Sequence, residues 1–313
     1  MDEARVCVVG SLNMDMTMVV ERLPVAGETV IGRSFTRGPG GKGANQAVAS
    51  ARAGASTAMV GRVGNDDHGR ELRAILERER IDTVGVQAQW DVPTGLADVV
   101  VDARGENQIV VVSGANATLE PGDVQESAAR IARASVLLVQ LEVPVQAVLE
   151  AARIARAHGT RVVLNAAPAT NLPTELLGLI DVLVCNQLEA ETIGGAVGED
   201  QAEAALAQLG VAACVITRGG RGSTLLMRGE RTHHASFDVT PIDTVGAGDA
   251  FVGSLGAAWS ATGGPDSAPS HDALPEVLRY ASATGSLATT RRGALDAIPR
   301  RPEVEALLAQ HGG

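Results

Sequence analysis

Short apolar runs alternate with helical patterns from about residue 122 to residue 217, and this rhythm restricts most strongly how the chain can fold. The runs at 136–140, 161–165 and 181–184 are short enough to be buried strands, and an amphipathic pattern fills 145–158. Parallel strands joined by crossover helices satisfy such an order. The sequence therefore predicts an α/β fold with a doubly wound, mainly parallel sheet flanked by helices.

Two pairs of strands lack a helix between them, which a purely alternating fold does not explain. The first pair is 16–20 and 28–35, and the second is 94–102 and 108–112, joined by a turn at 103–107. Consecutive strands inside an alternating chain indicate a small separate sheet. We expect a single domain over residues 1–313, with the strands of a small β lid inserted at about 15–36 and 94–113.

Composition excludes several classes of protein. Hydrophobic residues make up 45% of the 313 residues, whereas aromatic residues make up 2% and the net charge is -11. Few stacking side chains and an acidic balance disfavour nucleic acid as a partner. No apolar run reaches the ~18 residues that a membrane span needs. Cys7, Cys185 and Cys214 lie in apolar runs without metal or disulfide spacing, so we expect reduced core thiols and a cytoplasmic protein.

A glycine turn that opens a helix carries the strongest chemical signal, in the sequence Asp243-Thr-Val-Gly-Ala-Gly-Asp249. The preceding residues 235–239 alternate like a strand. Backbone N–H groups of Gly246, Ala247 and Gly248 could close on an anion at the helix N-terminus. A carboxylate at Asp249 would repel phosphate unless it takes a proton from an attacking hydroxyl, which indicates phosphoryl transfer. The alternative is a structural turn whose aspartate is favoured by the helix dipole alone.

Two further polar groups follow early strands. Asn13 and Asp15 come after the strand at 6–10, where they could bind the hydroxyls of a polyol or simply make a turn. A glycine cluster at 38–46 opens the next helix, and Lys42 and Asn45 could reach a ligand from it. The cluster is not a P-loop, because glycine follows Lys42 where serine or threonine is required.

Asn186 and Glu189 stand three residues apart at the start of a predicted helix. They could hold Mg²⁺, directly or through water, or they could form a capping box. His233 and His234 lack further metal ligands at suitable spacing and are interpreted as solvent-facing strand residues. Residues 257–270 are rich in Gly, Ser, Pro and Ala and predict a surface loop.

Seven motifs stand in the order found in the ribokinase family of sugar kinases, which the chain resembles nearly from end to end. They are Gly10-Ser-Leu-Asn-Met-Asp15, Gly40-Gly-Lys-Gly-Ala-Asn-Gln46, Gly105-Glu-Asn107 with Gly114-Ala-Asn116, Gln140-Leu-Glu142, Asn165-Ala-Ala-Pro168, Asn186-Gln-Leu-Glu189 and Asp243–Asp249. The resemblance implies ATP-dependent phosphorylation of D-ribose at O5. It also implies a β lid over the ribose that forms a homodimer.

The resemblance assigns roles to individual residues. Asp249 would be the general base, and the backbone at 246–249, with Gly246, Ala247 and Gly248, would be the anion hole. The ribose would be held by Asn13, Asp15, Gly41, Lys42, Asn45 and Glu142. Mg²⁺ would lie near Asn186 and Glu189, and ATP would lie by Asn186, Thr217, Gly219, Gly222 and Gly248.

The family also implies K⁺ as an activating cation. Its expected ligands are mainly backbone carbonyls at Asp243, Val245, Thr289, Arg291 or Arg292, and Gly293. A serine side chain is usual near the end of this segment, but Ala297 stands at that position. The departure affects the expected affinity for the cation more than the existence of its site.

Three other functions are compatible with parts of the pattern. A kinase for a ribonucleoside or another pentose would use the same phosphate-side residues. A sugar-sensing protein that lost catalysis would not need the carboxylate of Asp249. A dinucleotide-dependent oxidoreductase is disfavoured, because no Gly-x-Gly-x-x-Gly follows the first strand.

Overall fold

A computed structural model describes residues 5–263 and 267–311, except for the side chain of residue 107. The strands are β1 Arg5–Val9, β2 Asn13–Val20, β3 Gly32–Gly40, β4 Ser56–Gly64, β5 Asp82–Gln89, β6 Gly95–Val101, β7 Asn107–Val112, β8 Val136–Gln140, β9 Arg161–Asn165, β10 Val182–Asn186, β11 Ala213–Thr217, β12 Ser223–Met227 and β13 Glu230–His234. The α-helices are α1 Lys42–Arg52, α2 Asp67–Arg78, α3 Pro121–Glu126, α4 Ala128–Arg133, α5 Val145–His158, α6 Thr174–Leu177, α7 Gln187–Gly194, α8 Glu199–Ala207, α9 Ala247–Ser260, α10 Leu274–Ala288 and α11 Arg301–Gln310.

The main sheet has nine strands in the order β13-β12-β11-β10-β9-β8-β1-β4-β5. The strands from β11 to β5 are parallel, and β12 and β13 are added antiparallel at one edge. The predicted fold class is therefore confirmed. The chain moves outward in one direction from β1 and in the other direction from β8, so the order reverses between these two neighbours. Ligands of such sheets bind beyond the carboxyl ends of the strands at this reversal.

Two aliphatic cores cover the faces of the main sheet. Successive residues of β1 alternate between them: Val6 and Val8 join the core under α1, α9 and α10, and Cys7 and Val9 join the core under α5. Helix α9 packs closely on α1, because a methyl group on Gly253 would lie 2.4 Å from the carbonyl oxygen of Gln46. This close approach brings the first turn of α9 beside the first turns of α1.

The smaller sheet has four strands in the order β3-β2-β6-β7. Strand β2 begins shortly after β1 ends, and β3 ends at Gly40, just before α1. The small sheet is therefore joined to the main body at the same edge where the main sheet reverses its order. Several of its apolar side chains are exposed, among them Phe35, Val110 and Val112.

Four local predictions were wrong. The strand expected at 28–35 lies at Gly32–Gly40, where it pairs with β2. Residues 235–239 do not form a strand, because the ladder of β13 with β12 ends at the pair Ser223 and His234. Helix α9 continues to Ser260, inside the predicted loop 257–270, because Trp259 and Ser260 are buried against the core; residues 264–266 lie outside the described residues. The helix expected over 122–133 is divided into α3 and α4 at Ser127.

The expectation for the cysteines agrees with the structure, and the expectation for the two histidines agrees in part. Cys7, Cys185 and Cys214 are buried free thiols. On the edge strand β13, His233 is exposed as expected, whereas His234 is half-buried and its Nε2 atom is shielded from solvent. Over residues 5–263 and 267–311, no helix is long and apolar enough to cross a membrane.

Candidate active site

The carboxylate of Asp249 is held between α9 and α1. Asp249 lies in the first turn of α9 and is only 7% exposed. Asn45 Nδ2 donates to its Oδ2 at 3.0 Å, and Gln46 Nε2 donates to its Oδ1 at 3.0 Å. Each carboxylate oxygen therefore has an amide donor that fixes its orientation.

A chain of amides fixes Gln46 in turn. Its Oε1 accepts a hydrogen bond from Gln140 Nε2 at 2.6 Å, and its Nε2 also donates to Asn165 Oδ1 at 3.0 Å. Gln140 and Asn165 end the neighbouring strands β8 and β9. Because the carboxylate of Asp249 can only accept, the amide nitrogen of Gln46 must face Asp249, and its oxygen is then left to accept from Gln140. The sequence interpretation gave no role to these three amides, although each stands in one of the seven motifs.

The glycine turn before α9 has the geometry that was predicted for it, with one exception. Gly246 caps the helix at φ 75°, and a methyl group there would lie 2.8 Å from the α-carbon of Ala294. Gly248 has open space where a side chain would stand. Among the described residues, the N–H groups of Gly248 and Asp249 have no hydrogen-bond partner, whereas Ala247 N donates to the carbonyl of Thr244 at 3.3 Å. The helix N-terminus therefore offers its unpaired donors beside Asp249.

Lys42 lies opposite this turn. It shares a cavity of about 130 Å³ with Gly248, Asp249, Asn186 and Glu189. The negative charge of Asp249 raises the pKa of Lys42 above its usual value, so the ammonium is charged. The pKa of Glu189 lies above its usual value because the carboxyl group is buried. The backbone N–H of Asn186 and the charge of Lys42 oppose this rise.

Two further carboxylates, those of Glu142 and Asp15, lie near Lys42 on the side of the small sheet. Glu142 Oε2 accepts hydrogen bonds from Ser11 Oγ at 2.5 Å and from the backbone N–H of Lys42 at 3.1 Å. Burial, together with the charges of Glu142 and Asp249, raises the pKa of Asp15 to about 7, against the opposing effect of Lys42. Within the described part of the chain, the carboxylate of Asp15 has no hydrogen-bond partner. Asp15 is thus close to the other charged groups and open to a ligand.

The capping box considered for Asn186 and Glu189 is present. Glu189 N donates to Asn186 Oδ1 at 2.9 Å, and Asn186 N donates to Glu189 Oε2 at 2.7 Å. Both residues also line the cavity with Lys42. No group of three or more His, Cys, Asp or Glu side chains among the described residues could hold a metal ion by itself. One carboxylate that leaves room for phosphate oxygens and water nevertheless suits Mg²⁺.

A larger cavity of about 760 Å³ adjoins the first and contains the five residues predicted to lie by ATP. They are Asn186, Thr217, Gly219, Gly222 and Gly248. The two cavities share Asn186, Thr217 and Gly248, so they meet at the glycine turn. Apolar walls come from Phe237, Val239 and Phe251. The sequence interpretation missed the first two because it placed residues 235–239 in a strand.

Four of the residues expected near K⁺ are connected by hydrogen bonds. Asp243 accepts from Val245 N at 3.0 Å and from Gly293 N at 2.9 Å, and Asp243 N donates to the carbonyl of Thr289 at 3.0 Å. Arg291 and Arg292 are exposed, and Ala297 is fully buried. The segment around residue 293 is thus fixed directly behind the glycine turn.

The fold and the site together define a small-molecule kinase, with a buried carboxylate, a lysine and helix N-terminal donors around one cavity that opens into a larger one. Residues 3–301 match the model of the pfkB family of carbohydrate kinases. The chain belongs to this family.

Individual members of the family are similar to this chain over almost its whole length. Ribokinase of Haemophilus influenzae is 37% identical over 306 residues, which cover 96% of this chain and 97% of the relative. The structure of Arabidopsis thaliana ribokinase complexed with ribose and ATP is 32% identical, with a TM-score of 0.88 and coverage of 98% and 99% of the two chains. The structure of Giardia lamblia ribokinase gives a TM-score of 0.91 at 29% identity, covering 99% of this chain and 100% of the other.

Proposed function

We propose that this chain transfers the γ-phosphoryl group of ATP to O5 of D-ribose. The observation that carries the proposal is the position of Asp249, whose two oxygens are held by Asn45 and Gln46 beside unpaired helix N-terminal donors. The similarity to ribokinases, including one complexed with ribose and ATP, supports ribose as the acceptor.

The proposed reaction is an in-line displacement. Asp249 takes the proton of the ribose hydroxyl while that oxygen forms a bond to the γ-phosphorus and the bond from phosphorus to the ADP oxygen breaks. The backbone at 246–249 and the ammonium of Lys42 stabilise the negative charge on the transferred group. The products are ribose 5-phosphate and ADP, and the proton leaves from Asp249.

The proposed ribose site combines donors and acceptors around Lys42. Asp15 has a carboxylate without a protein partner, and the buried Oδ1 of Asn45 also lacks one among the described residues. Together with Asn13, Gly41 and Glu142, these groups could satisfy the hydroxyls of one small sugar. Closure of the small sheet, the lid strands inserted at about 15–36 and 94–113, would exclude water from the transfer.

Two cations belong to the proposal. Mg²⁺ would be held near Asn186 and Glu189, where it would neutralise charge on the phosphates of ATP. K⁺ would lie near Asp243, Val245, Thr289, Arg292 and Gly293, without the serine hydroxyl that Ala297 replaces. The hydrogen-bonded segment behind the glycine turn supports this position.

The proposed oligomeric state is a homodimer, and the proposed location is the cytoplasm. Exposed apolar side chains on the small sheet, such as Phe35, Val110 and Val112, support an association through the lid. The equilibrium molar mass in solution, compared between the wild type and Val110→Lys, tests this part of the proposal.

The function is tested by ADP release with MgATP and D-ribose, against deoxyribose, fructose, adenosine and inosine, each with K⁺ and with Na⁺ alone. We expect ribose to be preferred by about tenfold or more, because an absent hydroxyl leaves buried polar groups unpaired, and we expect K⁺ to accelerate the reaction. A preference for a nucleoside would replace the substrate but not the role of Asp249. Ribose binding without any turnover would indicate a sugar-sensing protein.

A further inference from the structure

Asn116 belongs to the motif Gly114-Ala-Asn116, which has no part in the proposed reaction. It lies in a 3₁₀ turn at Gly114–Thr118 and is 1% exposed. Its Oδ1 accepts from Leu12 N at 2.9 Å, and its Nδ2 donates to the carbonyl of Leu12 at 3.1 Å and to Asn13 Oδ1 at 2.7 Å. Every polar atom of this buried amide is therefore directed at the segment that precedes Asp15.

These contacts leave only one orientation for two amides. The N–H of Leu12 can only donate and its carbonyl can only accept, so the nitrogen of Asn116 must face Asn13. Asn13 therefore turns its oxygen toward Asn116 and its nitrogen away from it. Within the described part of the chain, Asn13 Nδ2 has no hydrogen-bond partner, although Asn13 is only 3% exposed.

The backbone at residue 95 approaches the hydrogen bond between Asn116 and Asn13 so closely that a side chain has no room there. A methyl group on Gly95 would lie 2.2 Å from Asn13 Oδ1 and 2.3 Å from Asn116 Nδ2. Ala115 N donates to the carbonyl of Pro93 at 2.8 Å, and Asn13 is paired with Gly95 at the start of β2 and β6. Asn116 therefore contacts Asn13 beside Gly95, where the chain enters β6, and shortly after the chain leaves β7 at Val112.

We propose that Asn116 is a positioning residue that aims the NH₂ group of Asn13 at the sugar. This inference rests on the proposed function. A hydroxyl group can donate to the carboxylate of Asp15 and at the same time accept from the NH₂ of Asn13, but an inverted Asn13 would present a second acceptor instead. Asn116 therefore makes Asn13 and Asp15 a complementary pair for a sugar hydroxyl, and an analogue without that hydroxyl leaves both groups unpaired.

Asn116→Asp tests the proposal, since aspartate still accepts from Leu12 N but gives Asn13 an acceptor in place of a donor. We expect the KM for ribose to rise about tenfold or more, as for a lost hydrogen bond to a buried group, while the KM for ATP stays unchanged. Thr118→Ala is the matched control, because its hydroxyl bonds the carbonyl of Ala115 in the same turn without contacting Asn13. If the aspartate variant does not fold, Asn116→Ser replaces it.

A double-mutant cycle with Asn13→Ala separates positioning from a general structural effect. If Asn116 acts through Asn13, the double variant has the same KM for ribose as Asn13→Ala alone. Additive losses, or an equal rise in both KM values, would overturn the proposal while leaving ribose phosphorylation intact. If the wild type does not phosphorylate ribose, that result counts against the proposed function and not against the role of Asn116. The double-mutant cycle is then measured as the affinity for whichever of the tested acceptors the wild type prefers.

Discussion

The carboxylate of Asp15 lies against the α-carbon of Gly40, so that a methyl group on Gly40 would fall 2.1 Å from Asp15 Oδ2. The contact arises where β2 and β3 pair beside the main sheet, with Asn13 opposite Gly40. Residue 40 therefore has to be small for Asp15 to keep its place.

Gly40→Ala should displace the Asp15 carboxylate and weaken ribose binding. We expect the KM for ribose to rise about tenfold or more, because a charged hydrogen bond to the sugar is lost, with the KM for ATP little changed. Gly38→Ala in the same strand is the control, since nothing lies within 4 Å of its added methyl group. Equal effects of the two substitutions would refute this role of Gly40.

The buried carboxyl of Asp15 should make stability depend on pH. Its pKa rises from 3.8 to about 7 on folding, mainly through burial. Between these values the native protein binds a proton that the unfolded chain has released, so the free energy of unfolding falls as pH rises. Asp15→Asn should therefore unfold at a higher temperature than the wild type at about pH 8 and at nearly the same temperature at about pH 4. Thermal unfolding of both proteins across this pH range measures the difference in melting temperature. A difference that does not change with pH would contradict the raised pKa of Asp15.

Two glycines of the same turn should respond differently to alanine. Gly246 has a positive φ and is packed against the backbone at Ala294, so Gly246→Ala should lower the free energy of unfolding by about 1 kcal/mol or more. Gly248 faces open space, so Gly248→Ala should keep the melting temperature but block the proposed phosphate position and reduce turnover. Thermal unfolding and ADP release, measured on both variants, separate the two effects. Loss of stability in Gly248→Ala would contradict this distinction.

A buried ion pair supports the loop at the nucleotide cavity. Arg218, between Thr217 and Gly219, pairs with Glu203, and the two side chains are 3% and 8% exposed; Arg231 also bonds Glu203 at 2.6 Å. Arg218 also contacts Glu199 at 2.7 Å. Glu203→Ala removes the buried partner of Arg218 but leaves Glu199, so we expect a loss of about 2 kcal/mol in stability and a higher KM for ATP.

The control for Glu203→Ala is Glu175→Ala, which breaks the exposed pair of Arg153 with Glu175 and should change stability little. Denaturant unfolding of both variants measures the difference. A similar cost for both would show that burial of the Arg218 pair does not matter.

The parts of the fold that depend on local pattern could be predicted from the sequence. The strand Val136–Gln140 and the helix Val145–His158 have the predicted bounds, because an apolar run and an amphipathic period each determine one kind of element. The segment 235–239 has the alternation of a strand but no partner left to pair with. Its structure is decided by where the partner strand β12 begins, at Ser223, and the alternation within 235–239 does not contain this information.

The site was predictable in its chemistry but not in its connections. Asp249 and Lys42 were singled out because each stands beside glycines at the predicted start of a helix, where backbone donors can bind an anion. The amide chain from Asn165 through Gln46 to Asp249 joins three distant parts of the sequence. Asn116 likewise contacts Asn13 from 103 positions away. Such roles depend on which amide nitrogen faces which oxygen, and only the folded arrangement fixes this.

The role of Asp249 is tested most directly by the turnover of Asp249→Asn with MgATP and D-ribose, measured together with the affinity for each ligand. Ribose and ATP should bind with nearly wild-type affinity while kcat falls roughly 10²-fold or more, as expected for loss of a general base. Thermal unfolding should confirm that the variant is folded. Wild-type kcat in a folded Asp249→Asn variant would contradict the assignment of Asp249 as the base.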